Sequence, residues 1–344
     1  MVATLQFSSF LSGSAPSLGL PGWWGRLCAA LPSGSAGARG TVGDAYHRPI
    51  LVQEVLEVFA PAGTRVIFDG TLGGGGHSEA LLEAGASVIG GDQDPAALAF
   101  ATTRLAGFGE RFRTVRGNFS DLETLLEEPV DGIFVDIGVS SRQLEDASRG
   151  FSFMRDGLLD MRMDPDGTVT AASILAEESP EALAKLFFEL GEERASRRIA
   201  EAICEARERA PIETTAQLAA IVESVVPRTS GKHPATKVFQ ALRIAVNDEL
   251  GVLEQLLNKA VHFLKPGGVL AVMSFHSLED RMVKRFFRAH SQPMMDRPEW
   301  PAPRPNPDYL FDLPSRNQAI TASPAEIADN PRARSARLRA AIRV

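Results

Sequence analysis

Apolar residues along the chain fall into short blocks punctuated by glycine and acid. Val66-Ile67-Phe68 is an apolar run that ends on Asp69 and passes into Gly73-Gly74-Gly75-Gly76. Ser78 to Ala84 is compatible with a helix, and a second apolar run closes on Asp92. Strand, glycine turn, helix, strand and acid make half of a nucleotide-binding α/β unit. Ahead of it, Leu51, Val52, Val55, Leu56 and Phe59 have helical spacing, stopped by Pro61-Ala62-Gly63. Behind it, Asp94 is placed to cap a helix whose first residue is Pro95. Phe112–Val115 and Ile133–Asp136 read as the third and fourth strands, the last one apolar up to its closing acid.

From about Glu145 to Ala235 the alternation disappears, and only helical stretches such as Pro180–Leu190 and Arg194–Ala210 remain. Sheet logic then resumes. Phe239, Leu242, Val246, Leu253, Leu257 and Val261 share one helical face, with Gly251 bending or dividing the run. Lys265-Pro266-Gly267-Gly268 turns into a strand over Val269–Phe275, and Leu278–Phe287 is again helical. Residues 292–314 are proline-rich and read as loop. Ser335–Ile342 alternates apolar and basic residues, as a half-buried last strand does. The fold class is therefore α/β, a Rossmann-like sheet with an inserted helical subdomain. Residues 45–145 and 236–344 build the sheet domain and 146–235 the insertion. Residues 1–44 stand apart: up to 43 they hold no acid and only Arg26 and Arg39 as bases. That composition reads as a disordered or misassigned N-terminal extension rather than an organelle address.

Composition narrows the setting. With 344 residues, 44% hydrophobic and 23% charged, the chain has the balance of a globular protein. Two cysteines, Cys28 and Cys204, offer neither a disulfide framework nor a cysteine zinc site, which points to a reducing, cytoplasmic setting and to no metal. No apolar run approaches the roughly 20 residues that span a bilayer. The net charge of −7 argues against wholesale polyanion binding, but its distribution is uneven. Arg332, Arg334, Arg337, Arg339 and Arg343 crowd the C-terminus, and Arg281, Lys284, Arg285 and Arg288 form a second cluster.

Ligands of open α/β sheets gather at the carboxyl ends of the strands, so Asp69, Asp92, Phe119 and Asp136 are expected to face one crevice. Asp92 follows the glycine loop at close to the roughly 20 residues expected of a ribose-binding acid. Phe119 suits an adenine or ordinary core. The glycine spacing is neither that of a dinucleotide binder nor of a P-loop. Asp69-x-Thr71-x-Gly73-x-Gly75 resembles instead the first motif of S-adenosylmethionine-dependent methyltransferases of class I, with Thr71 where many have glycine.

Longer blocks are more specific. They are Asp136–Ser141, Arg149–Gly157, Leu159–Asp164, Gly191–Arg194, His233–Thr236 with Phe239–Arg243, Ser274–Arg281 and Asn330–Ser335. In this order they closely resemble the bacterial 16S rRNA cytosine-N4 methyltransferases (the RsmH or MraW family), from Tyr46 to the C-terminus. The resemblance implies S-adenosylmethionine as cofactor, 16S rRNA or the small ribosomal subunit as partner, and methylation of N4 of cytosine 1402. It raises a homodimer as the assembly. It places cofactor contacts at Gly75, Gly76, His77, Asp92, Phe119, Asp136 and Gln143. Leu72, Gly74, Arg142 and Leu158 depart from the usual pattern, and Arg142 makes Gln143 the weakest of these assignments.

Several roles stay open at this level. Asp136 reads as a cofactor residue, an acceptor for the reacting amine, or a helix cap. Phe151 and Phe153, interleaved with Arg149 and Arg155, suit a nucleic-acid lid about as well as a core. His276 reads as structural, and Lys232, His233 and Lys237 with the arginine clusters are the phosphate candidates. Two competing classes are a nicotinamide-dependent oxidoreductase, which the glycine spacing disfavours, and a non-catalytic ribosome-assembly factor that retains the cofactor pocket.

Overall fold

In a computed structural model, residues 49–60, 65–228, 231, 233–296, 299–314 and 318–344 are described. The N-terminal extension, the helix stop at Pro61–Gly63 and Lys232 lie outside them. The strands of the main sheet are β1 (Val66–Asp69), β2 (Ser87–Asp92), β3 (Phe112–Arg116), β4 (Val130–Asp136), β5 (Leu264–Ser274), β6 (Phe311–Asp312) and β7 (Arg337–Arg343). Their order is β3-β2-β1-β4-β5-β7-β6. The first five run parallel, while β7 is antiparallel to both β5 and β6. The strand order reverses between β1 and β4, and that switch point is where such sheets open a crevice.

The helices are α1 (Val52–Phe59), α2 (Gly76–Glu83), α3 (Pro95–Leu105), α4 (Leu122–Leu125), α5 (Ser141–Glu145), α6 (Ala171–Glu177), α7 (Pro180–Glu189), α8 (Ser196–Arg207), α9 (Thr215–Val225), α10 (Thr236–Val246), α11 (Glu249–Phe263), α12 (Ser277–His290) and α13 (Pro324–Asp329). Asp94 caps α3 through the Ala96 N–H, with Pro95 in the first turn. None of the described helices is long and apolar enough to cross a membrane.

Alternate residues of each central strand serve opposite cores. Phe68, Ile133, Val135, Leu270 and Val272 pack with Leu122, Leu253, Leu257 and Phe287 on one face. Ile67, Phe134, Ala271 and Met273 pack with Val55, Phe59, Leu81 and Leu105 on the other. Both faces are covered, which is why these strands read as unbroken apolar runs. Each fully buried Leu or Phe contributes about 1.5–3 kcal/mol by removal from water.

Four expectations change. The long helical run breaks at Asn247-Asp248, where Asp248 has φ 45°, and not at Gly251. Gly251 lies inside α11, where a side chain would strike the Asp248 carboxylate. The last strand is not half-buried: Leu338, Arg339, Ala340 and Ala341 are all buried, because β5 and β6 flank it and α12 packs on it. Arg339 tolerates burial because its Nε donates to Asp280 Oδ1 at 2.7 Å and its Nη2 to Oδ2 at 3.2 Å. Within the expected loop at 292–314, Phe311-Asp312 forms the edge strand β6, with Phe311 fully buried.

The fourth change concerns the insertion, which has a core of its own. Leu183, Phe187, Ile199, Ile203, Leu218 and Val222 pack with Val238, Phe239 and Leu242 of α10. The insertion's packing thus extends beyond Ala235 into α10. Phe151 is buried in this core, and the half-buried Phe153 stacks on His233 at 4.4 Å and meets Phe239 edge-on. A mobile aromatic lid does not fit that packing.

Candidate active site

The carboxyl ends of β1, β2 and β4 open onto a cavity of about 410 Å³. That size suits a small organic ligand. Gly73 adopts φ 49°, a left-handed value that favours glycine, and its N–H donates to Asp92 Oδ2 at 2.8 Å. Asp92 Oδ1 accepts the Asp94 N–H at 2.9 Å. The acid therefore fastens the glycine loop to β2. Each of its oxygens can accept another bond, which leaves capacity for a diol. Burial pushes the Asp92 carboxyl up to about 6, although these backbone donors and that of Gln93 hold it down.

The structure brings Asp92, Phe119, Asp136, Gly76, His77 and Gln143 to the cavity wall. Two expected residues do not reach it. Gly75, with φ 77°, is the N-cap of α2, and a side chain there would press on Leu105 of α3 at 3.0 Å. Gly73 and Gly74 take its expected place at the wall. Asp69 is buried behind the loop, accepting Ser78 Oγ at 2.6 Å and the Thr71 N–H at 3.2 Å. It braces the loop against α2 and does not line the cavity.

His77 contributes to the wall with an anchored ring: Nε2 lies 2.8 Å from the Ile50 carbonyl and Nδ1 3.7 Å from Asp136 Oδ2. Gln143 closes a capping box, its Oε1 accepting the Ser140 N–H at 2.9 Å while its own N–H donates to Ser140 Oγ at 3.2 Å. That leaves its amide nitrogen for a ligand. Thr71, which replaces the more usual glycine, accepts the Asp136 N–H on Oγ1 at 2.6 Å and so joins the ends of β1 and β4.

Asp136 is the most unusual group in the cavity. Its Oδ1 is buried with no hydrogen-bond partner. Burial first, then the charges of Asp69 and Glu279, push its carboxyl up to about 8. A capping role is excluded for α5, because Ser140 caps that helix.

The insertion reaches the same cavity through contacts that no local pattern announces. Arg149 Nη1 donates to Asp94 Oδ2 at 2.7 Å, and its Nη2 donates to the carbonyls of Arg162 and Met163 at 2.9 and 3.0 Å. Asn247 receives the Met163 N–H at 2.7 Å. Several phosphate candidates are engaged within the fold. His233 Nε2 lies 2.6 Å from Glu223, Lys237 donates to the Glu192 carbonyl at 2.7 Å, and Arg281 pairs with Glu192 at 3.2 Å. Arg285, Arg288, Arg332 and Arg334 are exposed.

The glycine cradle, the acid fastened to it and the aromatic Phe119 form a set suited to a nucleoside-bearing cofactor. Residues 44–344 match the MraW methylase family. A ribosomal RNA small subunit methyltransferase H from Chelativorans sp. (strain BNC1) is 49% identical over 316 residues, covering 90% of this chain and 91% of that protein. One of the same name from Dinoroseobacter shibae is 51% identical over 299 residues, covering 86% and 89%. Among solved structures, an rRNA methylase from Streptococcus thermophilus aligns at 10% identity with a TM-score of 0.40, over 87% of this chain and 99% of that one. By sequence identity along most of its length, the chain belongs to the MraW methylase family.

Proposed function

We propose that the protein methylates small-subunit ribosomal RNA, and that its target is N4 of cytosine 1402 of 16S rRNA in the decoding centre. The cofactor is S-adenosylmethionine. The observation that carries the reading is the unpartnered Asp136 Oδ1, buried at the end of β4 in the cavity that the glycine loop and Asp92 line. Gly73, Gly74 and Gly76 would hold the cofactor's amino-acid end, Asp92 its ribose diol and Phe119 its base. When bound, it supplies an electrophilic methyl group on a sulfonium.

The protein's part is positional and acid–base. The lone pair of the cytosine N4 is delocalised into the ring, so the amine gains from an acceptor that engages one N–H as the new N–C bond forms. Asp136 Oδ1 is that acceptor, and the N4 proton passes to it. With its carboxyl pushed up to about 8, Asp136 takes that proton only in its ionised form, so transfer is expected to rise as pH passes through 8. His77 and Thr71 keep Asp136 in place. The target base must leave its stack to reach the cavity, and the exposed arginines Arg285, Arg288, Arg332 and Arg334 suit contacts with the surrounding phosphates.

Mass spectrometry of 16S rRNA from cells with and without the gene tests base, position and reaction together. The expected result is loss of one methyl group on cytosine 1402, restored by the wild-type gene and not by Asp136→Ala. Full methylation of that base without the gene would overturn the assignment. Binding of the cofactor without transfer to any unmodified small subunit would leave an assembly factor in its place.

A further inference from the structure

Among the described residues, the aromatic side chains that line the cavity are His77, Phe119 and Phe275. His77 is anchored to the Ile50 carbonyl and meets Phe134 edge-on. Phe119 suits the base of the cofactor. Phe275 has no part in that reading, and its place in the sheet gives it another. Phe119 follows β3 and Phe275 follows β5, with β2, β1 and β4 between those strands. Four steps from strand to strand separate β3 from β5 by about 19 Å. Asp92 closes β2, on the Phe119 side, and Asp136 closes β4, on the Phe275 side. A methyl donor whose nucleoside lies over β2 and β3 therefore leaves the β4–β5 end of the crevice to the acceptor.

At that end the Phe275 ring is held firmly beside Asp136. Asp136 pairs in register with Met273, two residues before Phe275, and the Ile137 N–H donates to the Met273 carbonyl at 2.9 Å. The Phe275 N–H donates to Glu279 Oε2 at 2.9 Å, which fixes the backbone from which the ring projects. The half-buried ring packs against the core that holds Phe134 and Met273. Gly138 lies across from it with φ 133°, a value that L side chains rarely adopt. A side chain there would rest on the ring, its Cβ 3.6 Å from Phe275 Cδ2. Glycine leaves that part of the ring uncovered.

We infer that Phe275 is the stacking platform for the target base and sets the plane in which that base offers its amine to Asp136. The inference rests on the reading of a base amine as the methyl acceptor. A base drawn out of its stack loses its neighbours' faces, and a protein ring replaces one of them. Stacking tolerates any base, because every base has a flat face. Phe275 therefore orients without selecting. Selection falls to Asp136, since uracil carries a carbonyl where cytosine has its amine and would leave that acceptor unmet.

The test uses the full chain and small subunits that lack the modification. Phe275→Leu keeps apolar bulk against the core and removes the ring. It is expected to lower kcat/KM for the subunit by about 5–150-fold, the worth of one base–aromatic stack, with S-adenosylmethionine affinity unchanged in calorimetry. Phe275→Tyr is expected to retain transfer. In Phe275→Trp the new indole reports the contact directly: its fluorescence is quenched by an RNA fragment carrying the target cytosine and not by the same fragment made abasic at that position. If Phe275→Leu melts early, this fluorescence decides alone. Transfer by Phe275→Leu within about twofold of the wild type, or equal quenching by the abasic fragment, overturns the platform. If the wild type methylates no small subunit, the acceptor assignment falls by itself. Titration of Phe275→Trp with free cytidine then decides the ring: quenching keeps a base platform, and its absence removes it.

Discussion

The Gly73 N–H donates to Asp92 Oδ2 across 2.8 Å, so the residue expected to grip the cofactor's ribose also holds the loop that would cradle its amino-acid end. Removing Asp92 therefore loosens two contacts at once. Asp92→Ala is expected to weaken S-adenosylmethionine binding by about 10–100-fold, the equivalent of one charge-assisted hydrogen bond of about 1.5–3 kcal/mol. Isothermal calorimetry measures it, and unchanged affinity would remove Asp92 from the site.

The same carboxyl makes binding depend on pH. Asp92 is pushed up to about 6, so it is ionised at pH 7.5 and gains a proton as pH falls through 6. A protonated acid accepts hydrogen bonds more weakly than a carboxylate. Cofactor affinity is expected to fall between pH 7 and 5, and Asp92→Asn to flatten that profile. A wild-type profile level down to pH 5 would contradict the assignment.

Asp136 gives a stability prediction of opposite sense. Its carboxyl lies at about 8 in the folded chain against 3.8 for the free group, so the fold binds this proton more tightly than the unfolded chain does. The resulting stability is complete below pH 3.8 and is lost as pH rises through 8. Asp136→Asn is expected to raise the melting temperature at pH 9 by at least about 2–4 °C, the equivalent of about 1 kcal/mol. It is also expected to abolish methyl transfer. Calorimetric melting at pH 5 and pH 9 separates the effects, since the gain belongs only to the higher pH.

Arg149 joins the insertion to the end of β2 through Asp94, while the carbonyls of Arg162 and Met163 hold its guanidinium within the insertion. Arg149→Ala leaves the largely buried Asp94 carboxylate without its cation, at an expected cost of about 1–3 kcal/mol in urea unfolding. Transfer to small subunits is expected to fall more than cofactor affinity does. An equal loss in both would place Arg149 in the cofactor site instead.

Gly70 sits where a side chain would lie 2.7 Å from Phe119 Cβ and 3.1 Å from Val135. Gly70→Ala is expected to displace Phe119, costing about 1–3 kcal/mol in thermal unfolding. A variant as stable as the wild type, with unaltered cofactor affinity, would show that Phe119 moves freely.

Much of this was legible from local pattern. Five parallel strands, the glycine turn, Asp94 as a cap and the acids closing β2 and β4 follow from short-range periodicity and from the few residues that tolerate a sharp turn. The family was legible as well, because its blocks are long and ordered. What side chains do at a distance was not. Asp69 and Asp92 close neighbouring strands in the same way, yet only the position of Ser78 on α2 buries Asp69 and leaves Asp92 at the wall. Gly75 and Gly76 are adjacent in sequence, and only the packing of α3 decides which of them faces the cavity. Arg339 alternates like a surface residue until β6, hidden in a proline-rich stretch, and Asp280 of α12 enclose it. Most elements, the glycine turn and the family were readable along the chain, since these depend on sequence neighbours. Which acids line the cavity, which loop glycines face it and how Arg339 is enclosed depend instead on partners brought together only by folding.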